Sequence, residues 1–155
     1  MLLMAKNQDK DQITNRKKSP ITYFISRIEL IHHNLDCPPE LNYANAKYGY
    51  KFSADINIIK DESIVQVIIN YEFSLDSHVL LYMEVSNDYK VNNLLDILVD
   101  DKISNANFTY YLIILSLNHA RGIQSTIIKD SPISTLYMPH IGKDKVFSKT
   151  TQQVL

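Results

Sequence analysis

The amino-acid sequence predicts an α+β domain: a four-stranded antiparallel sheet with a long C-terminal helix packed on one face. Two observations carry that expectation. Between Lys47 and Ser86 three consecutive segments alternate apolar and polar residues at a period of two, with short polar turns between them. Beyond them the apolar period lengthens to helical spacing, and a run of strands followed by helices places the helices on one face of an antiparallel sheet. A length of 155 residues suits a single domain with one core.

Each element follows from its own residues. Residues 1–19 show no apolar period and end in a basic run before Pro20, so they read as a mobile arm ahead of a domain spanning 20–141. "ITYFISRIELIHHNL" is rich in β-branched and aromatic residues, and its apolar phase shifts near Arg27, which predicts one long strand with a bulge. Pro38 and Pro39 stop it, because neither ring can donate to a ladder. "ELNYANA" is then a polar connection long enough to reach a non-neighbouring strand.

Tyr48, Tyr50, Phe52, Ala54, Ile56 and Ile58 share one face of the second strand. Val65, Val67, Ile69, Tyr71, Phe73 and Leu75 share a face of the third, and Val79, Leu81, Met83 and Val85 are the inward set of the fourth. Short turns make these three an antiparallel meander, since parallel neighbours need crossovers of about a dozen residues. Val91, Leu94, Leu95 and Leu98 then recur at helical spacing behind Asp88 as a cap, which predicts a first helix. A long helix begins near Ser104 and carries Phe108, Tyr111, Leu112, Leu115, Ile123 and Ile127. Its centre, "YYLIILSL", is apolar nearly all round, which a helix tolerates only when covered on more than one side, so a second subunit is expected against it. Residues 142–155 read as a short polar tail.

Composition excludes several function classes. With 45% hydrophobic and 21% charged residues and a formal net charge of -1, the chain has no basic surplus for phosphate backbones, so nucleic acid is not an expected partner. No segment approaches the ~18 uninterrupted apolar residues of a membrane span, and the start lacks a secretory pattern. A single cysteine fits a reducing compartment, and the expected location is the cytoplasm. Only Gly49, Gly122 and Gly142 occur, too few for a phosphate-cradling loop.

One stretch looks chemical. "IHHNLDCPP" concentrates His32, His33, Asp36 and Cys37, residue types that bind zinc or build a nucleophile with its base. A metal-dependent hydrolase using His32, Asp36 and Cys37 is therefore an alternative reading, with a further ligand from His78, His119 or His140. Strand alternation opposes it by sending His32 and His33 to opposite faces. The bland reading is a solvated strand end, with Cys37 a small apolar filler. His119, on the long helix, has no carboxylate three or four residues away and reads as a hydrogen-bonded interface histidine.

The order of elements, together with "F.SRIEL", "LDCPP", "LYMEVS" and "NHARGIQSTIIKDSPISTLYMPHI", resembles the SecB family of tetrameric bacterial export chaperones over residues 22–141. The resemblance implies a homotetramer, a dimer of dimers, that holds unfolded preproteins in apolar grooves and passes them to the motor SecA, with neither cofactor nor catalysis. On this chain it implies an ATP-independent holdase. Clients would bind at Leu35, Tyr43, Tyr48, Tyr50 and Phe52; Asp36 and Glu84 match acidic positions of the motor-binding face; and Tyr111, Leu115 and His119 lie toward the oligomer interface. His32 and Tyr82 depart from the acid and the leucine usual on the motor-binding face. Because SecB-like chaperones also protect antitoxins, a dedicated partner of one such client is the alternative. Ten tyrosines suit either role, since the ring offers large contact area at small entropic cost.

Overall fold

The computed structural model describes residues 20–44 and 46–155; the expected arm at 1–19 lies outside them. Strand β1 runs Tyr23–Leu35, β2 Tyr48–Ile59, β3 Ile64–Leu75 and β4 His78–Val91. A two-residue hairpin follows, β5 Leu98–Val99 and β6 Lys102–Ile103, then helix α1 at Ala106–Ile128, a short α2 at Lys143–Ser148 and strand β7 at Thr150–Val154. The main sheet has the order β1-β4-β3-β2-β7. Its first four strands are antiparallel, with the crossover after Pro39 carrying the chain from β1, across the sheet, to β2.

Alternation sets the core. All six apolar residues of β3 that share a face are buried, and they meet Phe52, Ala54, Ile56 and Ile58 of β2 and Met83, Val85, Tyr89 and Val91 of β4. Helix α1 covers this face with Leu112, Ile113, Leu117, Ala120 and Ile128. Each of the buried Val, Leu, Ile, Phe and Met side chains among them contributes roughly 1.5–3 kcal/mol by leaving water. The helix starts where Asn105 accepts a hydrogen bond from the Phe108 amide through its side chain, which satisfies one of the free N–H groups of the first turn.

The opposite face of the sheet is polar and carries two hydrogen-bonded rows across the strands. In one, Gln153 donates to Asn57, Asn57 to Gln66, and Gln66 to Asp88. In the other, Thr151 and Asn70 both donate to Asp55, and the Tyr82 hydroxyl lies within 3.4 Å of Asn70 and Glu84. One packed face and one solvated face is the ordinary solution for an antiparallel sheet.

The structure corrects three expectations. The sheet has five strands, not four, because residues read as a polar tail form α2 and then β7, which lies parallel to β2 from Ala54 to Ile58. An edge strand needs no apolar period, and "TTQQV" is held by its backbone and by Thr151 and Gln153. The helix expected behind Asp88 is absent: β4 continues to Val91, Asn93 adopts a left-handed φ of 56°, and Leu94–Ile97 is a single 3-10 turn. Tyr89 and Val91 belong to the strand period, which overlaps the helical spacing by chance. Val79 points outward, because a register shift opposite Phe73 and Ser74 turns both Leu80 and Leu81 inward. The phase shift expected in β1 is present, with irregularities between Ile25 and Arg27 and between Leu30 and His32.

Candidate functional site

The crossover and the start of β2 form an aromatic corner. The Tyr43 hydroxyl donates to the Pro38 carbonyl at 2.6 Å, and the Tyr48 hydroxyl donates to the Tyr43 carbonyl at 2.9 Å. These two bonds tie the crossover to β2, so neither tyrosine is a freely moving surface ring; both are half-buried, as are Leu35 and Tyr50, while Phe52 is buried. Burial, followed by the charges around it, pushes the Tyr43 hydroxyl pKa up, so it stays a neutral donor.

Beside this corner lies a cleft of about 480 Å³, lined by Tyr50, Phe52, Tyr71, Tyr82, Lys145 and Lys149 among others. Tyr50 stacks on Tyr71 with centroids 6.4 Å apart, and Tyr71 meets Phe73 edge-on at 4.8 Å. Lys145 sits over the Tyr50 ring at 4.2 Å and donates to its hydroxyl at 2.7 Å, a contact that joins ring face and cation. Tyr71 is 1% exposed and its hydroxyl has no hydrogen-bond partner; burial pushes its pKa up. The lysines and Tyr71 escaped the sequence reading. Tyr71 reads as plain core, and "KDKVFSK" spaces Lys145 and Lys149 four apart without showing that the segment folds back on β2.

The stretch "IHHNLDCPP" does not converge. His32 packs its ring near Tyr82 at 5.7 Å, on the polar face opposite Glu84, whereas His33 pairs with Met83 on the helix side. Asp36 instead approaches His78, with Oδ2 and Nε2 2.9 Å apart. Cys37 is half-buried; burial, and after it the Asp36 charge, pushes the thiol pKa up against a hydrogen bond from Ser131 that lowers it, which disfavours the thiolate needed for attack or metal binding. Among the described residues no group of three His, Cys, Asp or Glu side chains is placed to hold a metal ion. The hydrolase alternative therefore loses its centre.

No protein-family model matches this chain, and no curated protein matches it. Its structure is similar to that of the SecB-like chaperone Rv1957 of Mycobacterium tuberculosis, solved in complex with a peptide from the HigA1 antitoxin. The two share 12% identity at a TM-score of 0.51, over 77% of this chain and 90% of the other. The fold is SecB-like.

Within the SecB-like fold, β1 is an open edge strand with unusual apolar exposure: Phe24, Ile25, Ile28 and Ile31 are each more than 40% exposed. Tyr23 reaches α1, its ring 6.0 Å from that of Tyr111, and a hydrogen bond to Tyr111 raises its pKa to about 12. Tyr111 is itself 51% exposed and Leu115 half-buried. His119 is half-buried, with Nδ1 2.6 Å from Asn87 Oδ1. Asn87 donates through Nδ2 to the Val67 carbonyl, which leaves Oδ1 as the acceptor and makes His119 Nδ1 the donor. Desolvation lowers the His119 pKa, so the ring is held neutral. Asp36 and Glu84 each have a local neighbour, His78 and Tyr82 respectively. Among the described residues no helix is long and apolar enough to cross a membrane.

Proposed function

We propose that the protein is a chaperone of the holdase type, which binds extended or unfolded polypeptides without catalysis and without nucleotide. The aromatic corner at the open start of β2 carries this reading. It combines a cleft, several half-buried rings and a sheet edge, the surface an extended chain needs, in a fold shared with a chaperone solved with a peptide bound. Leu35, Tyr43, Tyr48 and Tyr50 line the route along the crossover, with Phe52 as the buried floor. The exposed apolar residues of β1, together with Tyr111 and Leu115, support self-association through β1 and α1, since an edge of that kind invites pairing with a second copy. Export by way of a SecA-type motor stays outside the proposal, because His32 and Tyr82, whose rings lie 5.7 Å apart, stand where the resemblance expects an acid and a leucine.

The test is suppression of client aggregation. Stoichiometric protein added to a refolding, aggregation-prone substrate without nucleotide is expected to abolish most of the light-scattering rise; an unaltered rise removes the reading. A dedicated partner of one client is the second reading, favoured by the antitoxin peptide on the mycobacterial neighbour. It predicts that scattering is suppressed for a single natural partner and not for unrelated substrates.

A further inference from the structure

The edge of β2 is only half covered. Strand β7 pairs with it from Ala54 to Ile58, while β2 itself begins at Tyr48. The Ala54 amide donates to the Lys149 carbonyl, and the Leu155 amide donates to the Ile58 carbonyl, so the even-numbered residues turn their backbone groups toward this edge. By the same alternation the N–H and C=O groups of Tyr48, Tyr50 and Phe52 face outward. Among the described residues no backbone hydrogen bond reaches them from that side.

Three features at this gap point to a ligand rather than to bare solvent. The aromatic cleft opens there, lined by Tyr50, Phe52 and Tyr71. The buried Tyr71 hydroxyl lacks a partner, although buried polar groups in folded proteins are nearly always satisfied. Lys145 and Lys149 are exposed at the rim and, among the described residues, neither pairs with a carboxylate, whereas Lys51 is matched by Glu72 at 3.3 Å.

Resting on the chaperone reading, and naming the ligand of that same surface, we propose that the open edge from Tyr48 to Ser53 accepts an extended peptide as an added strand, in line with β7, and selects a segment carrying an acidic residue two positions from an apolar or aromatic one. Backbone pairing with Tyr50 and Phe52 supplies register. Residues two apart in a strand share a face, so the apolar side chain enters the cleft while the acidic one meets Lys145 and Lys149. Charge complementarity of this kind governs choice of partner more than raw affinity. A short chain of roughly four to six residues fills the gap.

The experiment uses the full chain and three fluorescent peptides of equal length: one with the apolar-x-Asp pattern, one with Lys in place of Asp, and one with the Asp pattern but N-methylated backbone amides. Anisotropy is expected to show the Asp peptide bound at least tenfold more tightly than either of the others. Hydrogen exchange is expected to show new protection of the Tyr50 and Phe52 amides. In the double variant Lys145→Glu with Lys149→Glu, the preference between Asp and Lys peptides is expected to invert, an outcome that a misfolded variant does not give. Equal affinity for the three peptides, or binding without protection at Tyr50 and Phe52, overturns the inference. If scattering of an aggregating client is still suppressed in that case, the chaperone reading stands without the edge site. Edge binding in a protein that suppresses no aggregation leaves the site and removes the chaperone reading.

Discussion

At the scale of single residues, His119 shows how tertiary context decides what a side chain is. Its sequence neighbours offer no carboxylate, and the structure supplies Asn87 from β4 and a desolvated setting that lowers its pKa. A histidine whose folded pKa lies below the unfolded value of 6.5 takes up fewer protons folded than unfolded in the window between the two. Stability is therefore full above that value and is lost as pH falls below about 6.5 toward the folded pKa. Thermal unfolding at pH 7.5 and 5.5 is expected to show a fall in Tm that is smaller in His119→Gln; equal falls in both proteins would refute the assignment. The same logic reduces the "IHHNLDCPP" stretch. Residue types alone suggested a metal centre, but the register of β1 separates the two imidazoles and Asp36 finds His78 instead.

At the scale of elements, strands with one buried face were legible because a period of two is written directly in side-chain polarity. Strands β2 and β3 match their apolar positions throughout. Elements stabilised mainly by backbone pairing left no such trace. Strand β7 has a polar sequence, and its place is fixed by hydrogen bonds to Ala54 and Ile58 and by side chains meeting Asp55 and Asn57. Val79 was misplaced for a related reason: one extra residue in a bulge inverts the faces on its far side, and the pairing strand decides where that residue goes. Ending the chain at Ser148 removes the pairing on β2 from Ala54 to Ile58. At a net ~0.5–1.5 kcal/mol per hydrogen bond, the truncated protein is expected to lose about 2–4 kcal/mol. Chemical denaturation measures that loss, and an unchanged midpoint would show that β7 contributes nothing to the sheet.

At the scale of the whole molecule, β1 is the point of interest. A long edge strand exposing Phe24, Ile25, Ile28 and Ile31 is stable against aggregation only if something covers it. A mass in solution above the 17.9 kDa of one chain is expected, and Ile25→Lys with Ile28→Lys is expected to bring it down to that value. Light-scattering mass on both proteins decides it, and a monomeric wild type would remove self-association through this edge. The sequence by itself determined the class of fold, the meander, the crossover and the long helix, because burial of one face imprints a period on the residues that make it. Only the tertiary structure decided the fifth strand, the end of β4, and the meeting of Tyr50, Tyr71 and Lys145 at an open edge. Those features depend on pairing between segments far apart in the chain, where backbone groups and packing, rather than any local pattern, select the partner.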